Sequence, residues 1–390
     1  MLSCGEPSGD LYAGALTTEL RARAPGTQVF GFGGDEFARA GGELLDHFRG
    51  LSVTGLTEAL PFIPRFYRLL GRLKASAAER RPDVFVAIDA PDFNFFLLRA
   101  LKTLGVPVVY YISPQLWAWR ARRMRTMQRF VDHVLVIFPF EEAIYQQAGV
   151  PVTFVGHPLV DMATARSSRT EVLAELGLDP SAPTLAILPG SRANEVGRIA
   201  PVMAAALPLI RARIPSVQYV VACAPHLPDS AFDIFGVGRG SPARVRSRTD
   251  DVLGASDVVL TASGTATVQA ALHERPMVVV YRLSPLTYRL GKPFVRVDTY
   301  AMANLVAGER IVPELIQDEF TAERVADEVL ALFTDRDLYA VTQEGLRRVR
   351  ARLGAPGASG RAAQCVLQVA REHRLATRVS GAPEGVPYIK

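Results

Sequence analysis

Cysteine and histidine are scarce in this chain, and their spacing argues against two common kinds of site. The three cysteines are widely separated and form no CxxC pair, which disfavours a disulfide framework or a cysteine-ligated zinc site and favours a reducing compartment. The six histidines include no HExxH motif and no close pair, so the sequence predicts no metal site. The absence of a GxSxG motif weakens a hydrolase interpretation. Carboxylates, arginines and glycine-containing loops remain as candidates for its chemistry.

The chain also lacks long apolar runs. No stretch reaches the ~18 apolar residues that a membrane-spanning helix needs. The opening MLSCGEPSGD has no basic leader and carries Glu6 and Asp10, which is not typical of a signal peptide. The net charge of +5 is too small to predict nucleic-acid binding, although it suits an anionic substrate or a membrane surface. We therefore expect a cytoplasmic protein, either soluble or peripheral on a membrane.

Short apolar runs, each followed by a turn and a helical stretch, repeat along the chain. Val84–Ile88 and Val106–Ile112 are examples in the first half, and Thr184–Leu188 and Val217–Ala222 in the second. Such short β-branched runs without polar alternation are typical of strands buried on both faces of a parallel sheet. With 390 residues, well beyond the ~100–200 of one domain, the sequence predicts an α/β protein of two doubly wound parallel-sheet domains facing a central cleft.

The repeat of short apolar runs is interrupted within 161–183, and we place the domain boundary there. The first domain is predicted over 1–163 and the second over 164–337, with a polar tail over 376–390. Helical patterns over about 338–375 close the chain, and whether they pack back on the first domain is left open.

Three predicted strand–loop–helix junctions carry glycine together with hydroxyl side chains. They span 4–10, 187–192 and 260–265. Glycine permits close approach of the backbone, hydroxyls donate hydrogen bonds, and exposed N–H groups at a helix start attract an anion. None contains GK[ST] or a full GxGxxG, so each alone is more often an ordinary turn. Two such loops in the second predicted domain, one ending at Arg192, suit the diphosphate of a nucleotide.

Two aspartates follow the predicted strand that ends at Ile88. Carboxylates at the carboxyl end of a buried parallel strand point into the ligand crevice, where one can accept a proton from an attacking hydroxyl. Asp89 is therefore a candidate general base, whereas Asp92 is the more plausible helix cap of the pair. His157, at a strand end in the sequence GHPL, is interpreted as a catalytic group or, more commonly, as a hydrogen-bonded loop histidine.

The stretch after Pro64 alternates between a basic face and an apolar, aromatic face at helical spacing. A helix of this kind either rests in a lipid interface or packs its apolar stripe on its own sheet. The same two interpretations apply to Trp117 and Trp119 and to the arginines after them. These residues either pack in the core or contact lipid or phosphate. The predicted membrane face consists of Phe62, Ile63, Arg65, Phe66, Arg68, Leu69 and Arg72.

A series of longer motifs runs in order along nearly the whole chain. Its members are GEPSGD from Gly5, DAPDFN from Asp89, YISPQLWAWR from Tyr111, LPGSR from Leu188, ASGTA from Ala262, NLVAG from Asn304 and PELIQ from Pro313. At this spacing the series resembles the lipid-A-disaccharide synthase family, bacterial glycosyltransferases with the two-Rossmann GT-B architecture. So many matches in order are far more specific than any single loop.

The resemblance implies an inverting hexosyl transfer at the cytoplasmic face of the inner membrane. 2,3-Diacylglucosamine would pass from its UDP donor to the 6-hydroxyl of 2,3-diacylglucosamine 1-phosphate, giving the β-1′,6-linked disaccharide 1-phosphate and UDP. Asp89 would be the general base and Arg192 would stabilise the departing diphosphate, with no metal and no cofactor. The implied donor contacts are Gly190, Ser191, Arg192, Ser263, Gly264, Thr265, Gln269, Asn304 and Gln317. The implied acceptor-side residues are Glu6, Ser8, Asp92, Trp119 and His157. The acyl chains of both substrates favour the membrane interpretation of the helix after Pro64.

Two departures from the family pattern leave alternatives open. Only Met1–Cys4 precede the first motif, so the first strand is expected to be short, and Gln269 stands where the family usually has a glutamate. Glutamine still forms hydrogen bonds with hydroxyls but carries no charge. The alternatives are another UDP-sugar GT-B enzyme, such as an epimerase or a lipid-linked transferase, and a catalytically silent UDP-sugar-binding protein. Acyl-chain length and oligomeric state are left open.

Overall fold

A computed structural model describes most of the chain, and its described residues fall into two compact units. The first contains Met1–Pro158 and the chain from Gly354 onward, and the second lies between Leu159 and Leu353. The predictions at Phe62, Trp117 and Trp119 lie outside the described residues. The described residues are 1–49, 63–116, 123–236, 238, 240–283 and 299–379.

The first unit contains a seven-stranded sheet in which all described pairings are parallel. Its spatial order is β3-β2-β1-β4-β5-β6-β7. The strands are β1 (Leu2–Cys4), β2 (Phe30–Gly33), β3 (Glu43–His47), β4 (Phe85–Ile88), β5 (Val108–Tyr111), β6 (His133–Val136) and β7 (Val152–Phe154). The helices between them are α1 (Pro7–Arg23), α2 (Asp35–Arg39), α3 (Ile63–Arg80), α4 (Pro91–Lys102), α5 (Met124–Phe130) and α6 (Pro139–Gln147).

The second unit contains a six-stranded sheet in the order β10-β9-β8-β11-β12-β13, again parallel throughout. The strands are β8 (Thr184–Leu188), β9 (Gln218–Cys223), β10 (Ala243–Arg246), β11 (Val258–Ala262), β12 (Met277–Tyr281) and β13 (Glu314–Ile316). The helices are α7 (Leu159–Met162), α8 (Arg169–Glu175), α9 (Ala193–Arg213), α10 (Thr249–Ala255), α11 (Thr265–Leu272), α12 (Met302–Ala307), α13 (Ala322–Thr334) and α14 (Arg336–Arg352). A final helix, α15 (Ala358–Val379), belongs to the first unit.

The central strands are buried on both faces, as their composition predicts. Every residue of β4 (FVAI), β5 (VVYY), β8 (TLAIL) and β11 (VVLTA) is buried. Parallel neighbours require a crossover connection, and the crossover helices cover the sheet faces that these side chains occupy. The predicted pair of doubly wound α/β units is therefore confirmed.

Helix α3 divides its apolar residues between the core and the solvent. Leu69 and Leu73 are fully buried in the core of the first unit, so the prediction that Leu69 faces a membrane is wrong. The reason is that an apolar stripe that continues over several helical turns packs on the sheet beneath it. On the basic face, Arg72 pairs with Asp46 of β3, and Arg65 lies 4.0 Å from the same carboxylate.

The unit boundary and the chain end differ in detail from the prediction. The first unit ends at Pro158, ahead of the predicted break at 163/164, because Leu159 is buried and α7 contacts α11 in the second unit. Of the closing helices only α15 returns to the first unit, where it packs on α1. Arg361 anchors it by donating to the Val155 carbonyl at 2.8 Å. The helix also continues through Val379, past the predicted start of the tail.

Candidate active site

The carboxyl ends of β1 and β4 lie side by side in the first sheet, with Cys4 in register with Ile88. The sheet extends from β1 through β2 and β3 on one side and through β4–β7 on the other. The strand order therefore reverses between β1 and β4. Doubly wound folds bind ligands at such a switch point. The predicted residues Glu6 and Ser8 follow β1, and Asp89 follows β4, so the structure brings these two loops together.

The turn that carries Asp89 is strained and firmly held. Asp89 and Ala90 have φ values of +46° and +45°, in the left-handed region that costs a non-glycine residue about 1–2 kcal/mol. The carbonyl of Asp89 accepts hydrogen bonds from Asn94 Nδ2 at 2.8 Å and from the Tyr110 hydroxyl at 2.7 Å. Asn94 is in turn oriented by Ser3, whose hydroxyl donates to its Oδ1 at 2.7 Å. Strain maintained by surrounding bonds is typical of functional sites.

The loops that follow β1 and β4 also approach each other closely. A Cβ at Gly5 would lie 2.9 Å from the Cβ of Ala90, closer than such atoms pack, so glycine is required here for steric reasons. The loop after β2 is held by Asp10, a buried carboxylate in the first turn of α1 that accepts hydrogen bonds from the backbone of Gly34, Glu36 and Phe37 at 2.8–3.1 Å. The sequence patterns did not indicate Asp10, Asn94 or Tyr110 as organisers of this edge, although Asp10 and Asn94 lie in the motifs that carry the family resemblance and Tyr110 directly precedes one of them.

Asp92 and Asp89 have different surroundings. Asp92 lies in the first turn of α4, is largely exposed, and pairs with Arg123 at 2.7 Å. A carboxylate there interacts favourably with the helix dipole. The residue that caps α4 is Ala90, which contributes no side-chain bond, so the interpretation of Asp92 as the cap itself is wrong.

His157 is buried among aromatic rings after β7. Its ring lies 6.1 Å from the ring centroid of Tyr12 and 5.3 Å from that of Phe138. Desolvation lowers the pKa of His157 from 6.5 to about 3, so the imidazole is neutral near pH 7. This environment favours the packed loop histidine over a cationic catalytic group.

The second unit repeats the same arrangement. Its strand order reverses between β8 and β11, which pair with Leu188 in register with Thr261. Two of the predicted glycine-containing loops follow these two strands, and each leads directly into a helix, α9 or α11. The predicted donor loops therefore lie together at the ligand-binding edge of one sheet.

The loop after β8 leads through Arg192 into the start of α9. Gly190 has a φ of +119°, and a Cβ there would collide with the Glu195 carboxylate. The Ser191 N–H donates to that carboxylate at 3.1 Å. Arg192 is the N-cap residue of the 21-residue helix α9 and has an extended backbone. A guanidinium at a long helix N-terminus is well suited to an anion.

The loop after β11 exposes its glycine. Gly264 has a φ of +155° and a ψ of −157°, a conformation open essentially only to glycine, and no atom lies within 4 Å of a Cβ built there. Ser263 is fixed by donating to the Tyr300 carbonyl at 3.1 Å, while Thr265 opens helix α11. The loop thus presents exposed backbone at a helix start, as a phosphate site requires.

Gln269 lies one turn into α11, beside a carboxylate from another helix. Its amide nitrogen is 3.5 Å from both carboxylate oxygens of Asp250, which also lies 2.9 Å from His273 Nε2. A carboxylate therefore lies next to the position where the resemblance implies a glutamate. Asp250 lies on α10, outside the motifs that carry the family resemblance, so no sequence pattern indicated it.

Asn304, a predicted donor contact, is extensively hydrogen-bonded within the protein. It is 1% exposed, and its amide nitrogen donates to the Val312 carbonyl at 3.0 Å and to Glu314 at 2.6 Å. Its oxygen accepts from the N–H groups of Ile311 and Val312 at 2.9 and 3.0 Å. Because both donors and both acceptor positions are used within the protein, Asn304 shapes the loop before β13.

Gln317 combines backbone strain with an unused donor. It follows β13 directly with a φ of +55°, and its carbonyl accepts from Arg282 at 3.1 Å. Its side-chain nitrogen is buried and has no hydrogen-bond acceptor among the described residues. A buried unsatisfied donor at the carboxyl edge of the sheet is suited to a ligand oxygen. In the described part of the chain, no group of three His, Cys, Asp or Glu side chains is arranged to hold a metal ion.

Comparison with known proteins identifies the family. The family model described as lipid-A-disaccharide synthetase matches residues 1–369. The chain belongs to this family. Lipid-A-disaccharide synthase from Myxococcus xanthus is 45% identical over 373 residues, covering 95% of this chain and 97% of that protein. The synthase from Geobacter metallireducens is 42% identical over 375 residues, covering 96% and 98%.

Solved structures at low identity confirm the fold class of this family member. A UDP-GlcNAc 2-epimerase from Neisseria meningitidis, bound to UDP-GlcNAc, superposes with a TM-score of 0.66 at 12% identity, covering 94% of this chain and 98% of that one. A calicheamicin glycosyltransferase gives 0.61 at 16% identity, covering 95% and 97%. Both support the GT-B class that the motifs imply.

Proposed function

We propose that this chain transfers 2,3-diacylglucosamine from UDP to the 6-hydroxyl of 2,3-diacylglucosamine 1-phosphate, forming the β-1′,6-linked disaccharide 1-phosphate and UDP. Family membership makes it a glycosyltransferase of lipid A biosynthesis. The assignment of roles rests on one observation, the strained Asp89 turn held by buried hydrogen bonds at the switch point of the first sheet.

The base is Asp89 in this mechanism. The acceptor oxygen attacks the anomeric carbon as the bond from that carbon to the diphosphate breaks, and the hydroxyl proton passes to the carboxylate. One displacement inverts the anomeric centre and needs no covalent enzyme intermediate. The bonds from Asn94 and Tyr110 fix the carbonyl of the same residue, which limits the positions its side chain can take.

The second unit would bind the donor and stabilise the leaving UDP. Arg192 and the start of α9 would face the diphosphate, together with the exposed backbone of Gly264 at the start of α11. The unsatisfied amide of Gln317 would donate to a donor oxygen. Gln269 and Asp250 together offer a donor and an acceptor for ribose hydroxyls, which compensates for the missing glutamate.

The first unit would meet the inner membrane from its cytoplasmic side through α3 and α4. Ile63, Tyr67 and Phe96 are 44%, 59% and 45% exposed, and Phe66 joins them with its ring 5.4 Å from those of Tyr67 and Phe96. We call these four residues the aromatic face. Arg68 adds an exposed positive charge beside it. An aromatic and basic surface suits a protein whose substrates carry acyl chains in a bilayer. No helix in the described part of the chain has the length and apolarity to cross one.

A direct test uses the purified protein with both lipids and mass-spectrometric detection of the disaccharide. The wild type is expected to form product and UDP, and Asp89→Asn to lose about 10²–10⁴-fold in turnover because the base is removed. UDP binding should be retained, since the substitution leaves the donor loops intact. Asp327→Asn, at an exposed position of α13, is the matched control. UDP release without acceptor would favour another UDP-sugar enzyme, and a wild type that binds UDP without turnover would favour a silent binding protein.

A further inference from the structure

His226 lies next to the predicted diphosphate loop of the second unit. It belongs to the loop after β9, and its Nε2 is 2.6 Å from the carbonyl oxygen of Ser191 in the loop after β8. A carbonyl oxygen only accepts hydrogen bonds, so Nε2 carries the hydrogen of this bond whether the imidazole is neutral or protonated. His226 and Ser191 are both exposed, so a ligand in solution can reach this bond.

The loop that carries His226 is held in place from β10. Arg246 donates through one guanidinium nitrogen to the carbonyls of Ala224, Pro225 and Leu227 at 2.8–3.0 Å. These three residues flank His226, so the backbone is fixed on both sides of it. A side chain on a restrained backbone loses less conformational freedom when it forms a bond. The imidazole is therefore held toward the loop after β8.

The bond from His226 sets the direction of the next peptide group. Both backbone polar groups of Ser191 are bonded, since its N–H donates to Glu195 at 3.1 Å and its carbonyl accepts from His226. The peptide that joins Ser191 to Arg192 is trans, so its C=O and N–H point to opposite sides, and fixing the carbonyl also fixes the N–H of Arg192. Arg192 is the N-cap residue of α9, where N–H groups attract an anion. His226 therefore shapes the loop to which the proposed function assigns the diphosphate.

Protonation of His226 would add positive charge at this position. The charged groups around it come from three elements: Arg192 and Glu195 at the start of α9, Arg246 on β10, and Asp229 at the start of the short 3₁₀ helix after the loop. Arg246 pairs with Asp229. Two arginines and two carboxylates offset one another, and a bound diphosphate would add negative charge that favours the imidazolium. An imidazolium also donates a stronger hydrogen bond than a neutral imidazole does.

We propose that His226 is a positioning residue for the donor diphosphate. Through the Ser191 carbonyl it holds the loop at the start of α9 in the conformation that receives the anion, and in its protonated form it strengthens the binding. His226 acts through Ser191 and has no part in the proton transfer assigned to Asp89. The proposal deepens the proposed function and rests on it for the identity of the ligand, a uridine diphosphate.

Calorimetric titration with UDP at pH 8 and pH 6 tests this proposal. His226→Ala removes the bond and should lower UDP affinity about 3–10-fold at pH 8, as expected for one hydrogen bond. His226→Gln still offers an amide N–H to the Ser191 carbonyl, so its affinity at pH 8 should lie within about twofold of the wild type. At pH 6 the wild type should bind about 3–10-fold more tightly than His226→Gln, because glutamine cannot become charged. Protonation of UDP itself cancels in this ratio, since both proteins bind the same ligand.

A matched control removes a histidine elsewhere. His373→Gln, on α15 in the first unit, should bind UDP as the wild type does at both pH values. Because His226 is exposed, its variants should melt within about 2 °C of the wild type. A fall in melting temperature that accompanies the loss of affinity would show a merely structural role and would overturn the proposal.

Three further outcomes would overturn the proposal. Wild-type affinity in His226→Ala would show that the bond to Ser191 does not support UDP binding. An affinity that glutamine fails to restore at pH 8 would show that the ring, and not its hydrogen bond, is required. A ratio of wild type to His226→Gln that is the same at both pH values would exclude a contribution from charge. The assay contains no acceptor and measures no turnover, so failure of the proposed transferase reaction would leave its result unchanged. Equal UDP affinity in all variants would likewise leave the proposed reaction intact.

Discussion

At the residue scale, backbone strain is concentrated where strands end. Asp89, Ile112 and Gln317 each have positive φ and directly follow β4, β5 and β13. Ile112 is β-branched, which makes a left-handed backbone especially unfavourable. Because the carboxyl ends of parallel strands form the ligand edge, this strain lies where binding and catalysis are expected.

Asn94 is predicted to position the base without touching a substrate. Asn94→Ala removes its bond to the Asp89 carbonyl and leaves Ser3 without its partner, which should lower stability by about 1–3 kcal/mol. We expect kcat to fall about 10–100-fold with little change in KM, since the base remains but its position is less restricted. Thermal unfolding and steady-state kinetics measure both effects. An unchanged kcat in a folded variant would show that Asn94 has only a structural role.

Gln317→Gly should change stability and donor binding in opposite directions. Glycine adopts the φ of +55° without strain, so the free energy of unfolding should rise by about 1 kcal/mol. The melting temperature should rise with it. Loss of the buried amide should weaken UDP binding about 10-fold, as expected for one hydrogen bond. Calorimetry measures both quantities. Ser247→Gly, at a φ of +62° after the distant edge strand β10, should match the stability gain while leaving UDP affinity unchanged.

At the element scale, α3 shows why an amphipathic pattern is ambiguous. The same apolar stripe supplies Leu69 and Leu73 to the core and leaves Ile63 and Tyr67 exposed near its start. The pattern predicts a helix and its two faces, but the extent of the sheet beneath decides where the stripe stops being covered. That extent depends on β2, β3 and β4, which approach α3 only in the folded unit.

Two substitutions on α3 should separate its core and surface parts. Leu69→Ala removes a fully buried side chain and should destabilise the protein by about 2–5 kcal/mol. Tyr67→Ser, at an exposed position, should change unfolding free energy by less than about 0.5 kcal/mol. Chemical denaturation compares the two. A large destabilisation by Tyr67→Ser would mean that this ring is part of the core.

At the scale of the whole molecule, each unit repeats one design. A parallel sheet reverses its strand order at its centre, and glycine-containing loops at that point lead into helices. Helix α15 ties the end of the chain to the first unit, where Arg374 pairs with Asp83 beside β4. The first unit is therefore assembled from the two ends of the chain, and it cannot be completed until the last helix is present.

Burial of His157 should make the stability of the whole molecule depend on pH. Its pKa is lowered from 6.5 to about 3 in the fold, so below pH 6.5 the unfolded chain binds a proton that the folded state does not. Stability should thus fall as pH decreases from 6.5 toward 3, by about 2 kcal/mol at pH 5 from this group. Denaturation of His157→Gln at pH 5 and pH 7 should show a difference smaller by that amount.

Motifs close together in sequence were predicted well, and contacts between distant segments were not. The donor loops around Arg192 and Gly264 lie at one sheet edge as their patterns indicate. For Asn304, a predicted donor contact, the motif does not show that its amide also donates to Val312 and Glu314. Asp250 was missed because the contact with Gln269 joins two helices that no local pattern connects. The roles of the individual site residues remain predictions.

The sequence by itself determined the elements and the family, because strand burial, helix periodicity, turn residues and motif order are properties of short segments. Only the tertiary structure decided which of these residues act together. Ser3 and Asn94 are 91 positions apart, yet their bond supports the turn that carries Asp89. Pairing of distant segments depends on sheet order and packing, which no local pattern specifies.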